Sequence, residues 1–343
     1  MEYLTIVILE QSEVVLHIVE APKSGEVKLL YHTNWDPSKA LNDKSGLALI
    51  EETCSRIHAF WKDKNVTCNG VLISLPGTVK SEYELISSSR LGILEELKFS
   101  EKITYHLNVP CYIFHDTECL GIGEITFGNH FKDEIPNSVI YAFVDEGIGS
   151  KIFIKGKPFL GAGTAGLLGR LIVEPEGIYS PALKSSGTLE AYSSRPWVSK
   201  KMVEIYNSEI DKKYYGVETN KTTTTKYRQA LKTASESGSD QISYDRMISG
   251  LKDNDPIALT VVDQASKYLG FSLNSVITIL NPNLIILGGG MITQLPEFAN
   301  KTINYARQFS WKTGWNNTNI SISLSDRNIQ VLGAIILYRN LTK

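Results

Sequence analysis

A short and almost wholly apolar strand is the feature that most limits how this chain of 343 residues can fold. Residues Gly70 to Leu75 read Gly-Val-Leu-Ile-Ser-Leu, which is typical of a strand covered by helices on both faces. The preceding segment, from about Ser38 to Lys64, places apolar residues at three- and four-residue steps and predicts a helix. Together they predict an α/β fold with a mixed sheet.

Strand and helix patterns alternate along the rest of the chain, which is long enough for two domains. Further strands are predicted at residues 4–9, 14–19, 27–31, 112–115, 139–144, 151–154, 284–287 and 320–324. Further helices are predicted at residues 95–107, 117–127, 256–278 and from residue 330 onward. Residues 208–243 are rich in Lys, Thr, Ser, Asn and Gly, and we expect a mobile insertion with at most one short helix.

Charge and composition exclude several classes of protein. The chain has 35 Lys and Arg against 37 Asp and Glu, with no basic run longer than a pair, so it lacks the footprint of a dedicated nucleic-acid-binding domain. Any DNA contact must then be local or supplied by another chain. We find neither a signal peptide nor a span of about 18 apolar residues, so we expect no membrane partner. The four cysteines lack CxxC spacing, which predicts buried, reduced thiols and a cytoplasmic protein.

Three segments carry candidate chemistry. Asp116 follows His115 at the end of a predicted strand, where it could act as a general base for a hydroxyl or simply cap the next helix. The turn from Asp145 to Gly149 could present backbone amides to phosphate, although its acidic start argues against that. The strand ending in Gly288-Gly289-Gly290 suits a flat ligand on the backbone, or a tight turn.

Taken in order, these and neighbouring motifs resemble the ROK family of repressors and sugar kinases over essentially the whole chain. The segments that carry the resemblance are Pro76-Gly77, residues 109–124, residues 147–166, Leu189 to Tyr192, and Asn281 to Gly290. The resemblance implies an actin-like, hexokinase-like ATPase fold (ribonuclease H-like) with two lobes, a cleft between them, and usually a homodimer. The lobes would be residues 1–118, onto which the C-terminal helix 330–343 could pack back, and residues 119–343.

The phosphate turns depart from the family pattern. The first reads Glu10-Gln-Ser-Glu13 without glycine, and Asp145 and Glu146 replace the Gly-Thr that should open the second. Two carboxylates there would repel a triphosphate, and no lysine close in sequence offsets them. Gly147, Gly149, Gly288, Gly289 and Gly290 are then vestigial nucleotide positions, and we predict no cofactor.

Only part of the family's sugar-binding site is present in this sequence. The resemblance assigns Asp116 to the catalytic-base position and Glu190 to a sugar-hydroxyl acceptor, while His115, Leu167 and Arg170 replace the family's asparagine, glutamate and histidine. His115, Asp116, Arg170 and Glu190 are therefore vestigial sugar-binding residues. Pro181, Leu183 and Thr188 stand where the family has zinc thiolates, and Arg170 where it has the fourth ligand, so we predict no metal.

These departures favour a non-catalytic regulator resembling the xylose repressors, a repressor or antirepressor that acts as a homodimer on DNA or on another regulator. Such repressors usually carry a winged helix-turn-helix before the first strand, which here begins by Tyr3. The chain is then the effector part of a repressor or a shortened member that binds a protein. A sugar sensor using Asp116 and Glu190 is the second hypothesis, and an ATP-dependent sugar kinase the third.

Two further segments are candidates for contacts with partners. Trp311, Trp315 and Tyr338 could lie in a dimer interface or in the core. Residues 208–243 could bind a partner or act as a hinge, or form a solvated loop of no consequence. If they bind a partner or act as a hinge, a short Gly linker in their place should leave folding intact and weaken regulation.

Overall fold

The computed structural model describes residues 2–22, 25–81, 84–88, 90–93, 96–131, 134–208, 213, 216, 225–323 and 328–342. The chain divides into two compact units. Unit 1 comprises residues 1–135, 151–166 and 325–343, and unit 2 comprises residues 136–150 and 167–324. The boundary expected at residue 118 differs from this division, because residues 119–135 and 151–166 also belong to unit 1.

Strands and helices alternate, as the sequence pattern predicts. The strands are β1 (Tyr3–Leu9), β2 (Val14–Glu20), β3 (Lys28–Trp35), β4 (Gly70–Leu75), β5 (Thr78–Ser81), β6 (Glu84–Ser87), β7 (Cys111–His115), β8 (Ser138–Val144), β9 (Ile148–Ile154), β10 (Lys157–Phe159), β11 (Tyr179–Ser180), β12 (Ser185–Ser186), β13 (Leu284–Gly288) and β14 (Asn319–Ile322). The helices are α1 (Leu47–Lys64), α2 (Phe99–Leu107), α3 (Asp116–Phe127), α4 (Glu190–Ser193), α5 (Arg195–Asn207), α6 (Lys226–Ser237), α7 (Tyr244–Lys252), α8 (Pro256–Leu280), α9 (Gly290–Thr293), α10 (Pro296–Phe309), α11 (Lys312–Asn316) and α12 (Asn328–Leu341). None of these helices is both long and apolar enough to cross a lipid bilayer.

Each of the two main sheets has five strands. The first has the order β3-β2-β1-β4-β7, with β1-β4 and β4-β7 parallel and β1-β2-β3 antiparallel. The second has the order β10-β9-β8-β13-β14, and β13 runs parallel to both β8 and β14. In both sheets the carboxyl ends of parallel strands therefore meet at one edge, where α/β proteins carry their sites.

The core of unit 1 surrounds β4, which is buried along its whole length. Apolar residues of α1 and α2 join one cluster with β1, β2, β4 and β7, including Val7, Ile57, Ile73 and Ile103. Helix α12 packs against α3, β4 and β1. The apolar sequence of β4 is thus explained by helices on both faces, as predicted.

Two helices of unit 1 begin later than predicted. Helix α1 begins at Leu47, because the Asp43 carboxylate accepts hydrogen bonds from the Ser45 and Ala48 amides and Gly46 has a φ of 75°. Helix α2 begins at Phe99, since Leu97 still exchanges extended backbone hydrogen bonds with Leu85. Residue 95, the first of the predicted helix, lies outside the described residues.

The segment expected to be a mobile insertion contains packed structure in unit 2. Helix α6 buries Tyr227, Leu231 and Ala234, and the Asp240 carbonyl accepts a hydrogen bond of 2.6 Å from the Ser199 hydroxyl. Residues 209–212, 214–215 and 217–224 lie outside the described part of the chain. From residue 225 onward the insertion therefore differs from a loosely attached loop.

Candidate functional site

The turn between β8 and β9 holds a carboxylate against the glycine turn that follows β13. The Asp145 amide donates to the Gly147 carbonyl at 2.9 Å, which closes the turn. Asp145 Oδ2 accepts a hydrogen bond from the Gly290 amide at 3.1 Å, and Oδ1 accepts one from the Tyr244 hydroxyl at 2.5 Å. An acidic side chain of unit 2 thus uses a backbone donor of the kind that binds anionic ligands.

Arg195, at the start of α5, offsets part of the negative charge of this acidic turn. Its guanidinium pairs with Glu146, and its Nε lies 3.8 Å from Asp145 Oδ1. The guanidinium also lies 5.6 Å from the centre of the Tyr244 ring, within cation–π range. The sequence analysis considered only lysines close in sequence, whereas the cation that pairs with these carboxylates is an arginine from a distant part of the chain.

Contacts within the protein account for each glycine of the Gly288-Gly289-Gly290 turn. A Cβ on Gly290 would lie 2.6 Å from the Tyr244 hydroxyl and 2.8 Å from Asp145 Oδ2. Gly289 has a φ of +90°, and a Cβ there would lie 2.4 Å from the Val144 carbonyl oxygen. A Cβ on Gly288 would lie 2.6 Å from the Tyr141 hydroxyl. The space that Gly290 leaves open is occupied by Tyr244 and Asp145.

The charge state of this cluster follows from its burial. Burial, and after it the charge and hydrogen bond of Asp145, raise the pKa of Tyr244 well above its usual range. The tyrosine hydroxyl therefore keeps its proton and remains a donor to the carboxylate. A phosphate brought to the same amide would have to displace the Asp145 carboxylate and would then face two carboxylates that share one guanidinium.

The predicted sugar-side residues of unit 2 are tied to the same turn. Glu190 Oε2 accepts a hydrogen bond of 2.7 Å from the Ile148 amide. The Leu168 amide donates to Ser150 Oγ at 3.0 Å, and a Cβ on Gly169 would lie 2.2 Å from the Ile148 carbonyl oxygen. Glu190 and the segment from Leu167 to Arg170 therefore both contact residues 148–150, which include Gly149 and directly follow Gly147.

The four residues that stand where the family has its zinc ligands do not form a metal site. Arg170 donates a long hydrogen bond of 3.4 Å to the Leu183 carbonyl, and the Thr188 hydroxyl is buried without a partner among the described residues. The β11-β12 hairpin is instead held by Tyr192, whose hydroxyl accepts from the Ile178 amide at 2.8 Å. The side chains of Arg170, Pro181, Leu183 and Thr188 do not supply the thiolate and imidazole ligands that zinc requires.

His115 and Asp116 lie together in unit 1, at the junction of β7 and α3. His115 occupies the N-cap position, and its Nδ1 lies 2.8 Å from Asp116 Oδ1. The Thr117 amide lies 2.6 Å from Asp116 Oδ1 and 3.2 Å from His115 Nδ1, within hydrogen-bond range of both. Both side chains therefore contribute to the start of the helix, and Asp116 does so from its first turn rather than as the cap itself.

The surroundings of Asp116 favour its ionised form. Burial acts to raise its pKa, but the charge and hydrogen bond of His115, the charge of Arg90 and the Thr117 amide together lower that pKa below its ordinary value. A carboxylate stabilised in this way is a weaker general base. The geometry is thus compatible with a role for Asp116 at the start of α3, and the lowered pKa makes Asp116 a weaker general base than an ordinary aspartate.

The first predicted phosphate turn, also in unit 1, is a tight hairpin turn. Its closing hydrogen bond runs from the Glu10 amide to the Glu13 carbonyl at 3.0 Å. No residue from Glu10 to Glu13 has a positive φ, and none is glycine. The turn therefore lacks the concave arrangement of amides that binds phosphate.

Comparison with solved structures defines the class of fold. A ROK family transcriptional regulator, described as a homolog of the E. coli MLC protein, matches 99% of this chain and 78% of its own with a TM-score of 0.78 at 19% identity. A ROK family glucokinase from Streptomyces griseus, solved with glucose and AMPPNP, matches 98% of both chains with a TM-score of 0.75 at 16% identity. The protein thus has the actin-like, hexokinase-like ATPase fold.

The sequence places the chain within one family of that fold. The ROK family pattern matches residues 47–340, and the chain belongs to the ROK family. A xylose repressor from Caldicellulosiruptor bescii is 22% identical over 270 residues, which cover 78% of this chain and 62% of the repressor. The chain therefore spans less than two thirds of that relative, and both regulators and kinases resemble it.

Arg195 and Tyr244 are the site residues that the sequence analysis missed. Arg195 follows the Leu189 to Tyr192 motif, and Tyr244 begins the helix after the insertion. Neither belongs to a recognisable pattern, and both approach Asp145 only through the tertiary fold. An unexplained acidic pair in a glycine turn was the one available signal that a cation should lie nearby.

Proposed function

We propose that this chain is a non-catalytic, transcription-regulatory member of the ROK family. The observation that carries the proposal is that Asp145 and Tyr244 fill the space over Gly290, so the protein's own side chains use the amide that would otherwise be open to a ligand. The similarity to a xylose repressor and to a ROK transcriptional regulator supports the same reading.

Loss of kinase activity follows from the chemistry of phosphoryl transfer. That reaction depends on amides, cations and metal ions positioned around the phosphates. Here the Glu10 to Glu13 turn offers no amide cradle, and the Asp145-Glu146 turn presents carboxylates already paired with Arg195. Asp116, with its lowered pKa, would also be a weak base. We therefore propose that neither ATP nor a zinc ion at the family's loop takes part in the function.

The experiment compares regulation with catalysis directly. In a strain that lacks the gene, transcript levels are measured after complementation with the wild-type protein or with Asp116→Asn. We expect the deletion to change transcription and both proteins to restore it equally, because no step uses Asp116 as a base. In parallel, purified wild-type protein should show no sugar phosphorylation with Mg-ATP in a coupled assay.

Three outcomes would change the proposal. Sugar phosphorylation by the wild type that disappears in Asp116→Asn would establish a kinase and overturn it. Stabilisation by a sugar alone would add a sensor function to the regulator, since a ligand at 100 times its Kd adds about 2.7 kcal/mol. Transcript levels unaffected by the deletion would contradict the regulatory role.

The proposed regulator acts as a homodimer, and one surface of unit 2 suits that role. Phe271 and Ile279 of α8 are 42% and 79% exposed, and Trp311 beyond α10 is 75% exposed. Phe309 of α10 packs edge-on against Phe271 with ring centres 6.0 Å apart. No residue from Tyr268 to Leu280 is charged, so the α8 part of this surface can meet its own copy about a two-fold axis without charge repulsion.

The other two aromatic candidates differ from Trp311. Trp315 is half-buried, and Tyr338 of unit 1 donates a hydrogen bond of 2.8 Å to Glu2 and packs against Tyr112. We therefore propose that Trp311 contributes to the dimer, while DNA or another regulator is the dimer's partner. A cytoplasmic location is part of the proposal, and the four buried, free thiols support it.

Ile279→Asp is expected to dissociate the dimer, because it places two like charges opposite each other in an apolar interface. Light scattering should give twice 38.2 kDa for the wild type and 38.2 kDa for the variant. The matched control is Tyr105→Asp, which changes a residue of unit 1 that is equally exposed, and it should remain dimeric. A monomeric wild type, or a dimeric Ile279→Asp, would contradict this interface.

A further inference from the structure

Two histidines face each other at the edge of the first sheet, away from the site described above. His17 of β2 and His32 of β3 are direct partners in the antiparallel register. Their ring centres are 5.9 Å apart and the ring planes are tilted by 30°. Strand β3 is the outer strand of the sheet, and His32 is exposed on it. Solvent therefore reaches this pair from the His32 side.

The other four histidines have different neighbours. His115 contacts Asp116, and His130 lies 2.5 Å from Glu124 in a buried pair. His58 packs edge-on against Trp61, and His106 against Tyr105. His17 and His32 are thus the two histidines that pack against each other, and each of the other four packs against a different kind of residue.

His17 has an unused ligand atom. Its Nε2 is buried and has no hydrogen-bond partner among the described residues. Burial, followed by the charge of His32, lowers the pKa of His17. This shift favours the neutral ring, which is the form that binds metal ions.

The separation of the rings suits a shared metal ion. With metal–nitrogen distances of about 2.0–2.1 Å, two imidazoles on one tetrahedral ion have centres about 5 Å apart. The observed 5.9 Å exceeds that value by less than 1 Å, a difference that small side-chain rotations can remove. Both rings project from adjacent strands of one sheet, so the backbone already holds the two ligands in place.

We propose that His17 and His32 form a binding site for a divalent transition-metal ion of the zinc, nickel and copper class. Imidazole ligands favour these ions over Mg²⁺ and Ca²⁺. Within the described ranges no three or more His, Cys, Asp or Glu side chains are grouped so that they could hold a metal ion, so water completes the coordination at the two histidines. The site is unrelated to the zinc loop of the family, which lies in unit 2, and it binds more weakly than a four-ligand structural site.

The test is calorimetric titration of the full chain with ZnCl₂ at pH 7.5, with MgCl₂ as the control ion. We expect one Zn²⁺ per chain for the wild type and at least tenfold weaker binding for His32→Gln. The matched control is His58→Gln, which removes an imidazole from helix α1. Its affinity for Zn²⁺ should stay within twofold of that of the wild type. Since His32 is exposed, its variant should fold normally, and thermal unfolding without metal checks this.

A second measurement tests whether protons compete with the metal ion for the two imidazoles. Lowering the pH to 5.5 should weaken Zn²⁺ binding to the wild type by at least tenfold, because protons compete for the imidazoles. The proposal is overturned if the wild type binds no Zn²⁺, if His32→Gln binds as tightly as the wild type, or if His58→Gln loses binding to the same extent.

Discussion

Arg228→Met is expected to lower the free energy of unfolding by about 3 kcal/mol, because it leaves a buried carboxylate without its cation. Arg228 of α6 pairs with Asp255, and their side chains are only 15% and 7% exposed. Asp255 also accepts the Ile257 amide at 2.9 Å and so caps α8. Removing the arginine side chain would therefore weaken both the attachment of α6 and the start of the longest helix.

The matched control lies on the same helix. Lys232 pairs with Glu236 across one turn, with side chains 63% and 66% exposed. Lys232→Met should change stability by no more than about 0.5 kcal/mol, because exposed ion pairs contribute little. Urea denaturation followed by circular dichroism measures both variants. Equal losses for the two would show that the Arg228–Asp255 pair is not the buried attachment described above.

The same helix changes what we expect of the insertion. Tyr227 and Leu231 belong to the hydrophobic core of unit 2. Replacing residues 208–243 by a short Gly linker would remove these side chains and the Arg228 contact together. The expectation that such a replacement leaves folding intact is therefore withdrawn for the part of the insertion from residue 225 onward.

Gly333→Ala is expected to destabilise unit 1 by about 3 kcal/mol, at the upper end of the usual cost of overpacking. The added Cβ would lie 1.8 Å from the Cys119 carbonyl oxygen, which is backbone of α3 and cannot rotate away. Helix α12 must then move off α3. Because Asp116 begins α3, the variant should also disturb the His115–Asp116 contact.

A glycine that lies against a side chain rather than against backbone provides the control. In Gly314→Ala, the new Cβ would lie 3.2 Å from a methyl group of Ile277, which can shift by a few tenths of an ångström. That variant should lose less than about 1 kcal/mol. Chemical denaturation monitored by tryptophan fluorescence compares the two. A Gly333→Ala protein as stable as the wild type would contradict the close packing of α3 and α12.

Much of the fold could be predicted from local pattern. The apolar run from Gly70 to Leu75 and the periodic apolar residues of α8 are direct consequences of burial, so both elements appear where the pattern places them. Helix starts were less predictable. Helix α1 begins at Leu47 because of side-chain and glycine geometry around Asp43 and Gly46, and helical periodicity does not report that geometry.

The sequence by itself determined that both phosphate turns depart from the glycine pattern of the family. A turn without glycine, or one that begins with two carboxylates, cannot present a phosphate cradle, and that conclusion needs only the local residues. Only the tertiary structure decided which groups surround the second of these turns. Asp145 meets Arg195, Tyr244 and Gly290, which are far from it along the chain, and folding alone brings their charges and hydrogen-bonding groups within reach of one another.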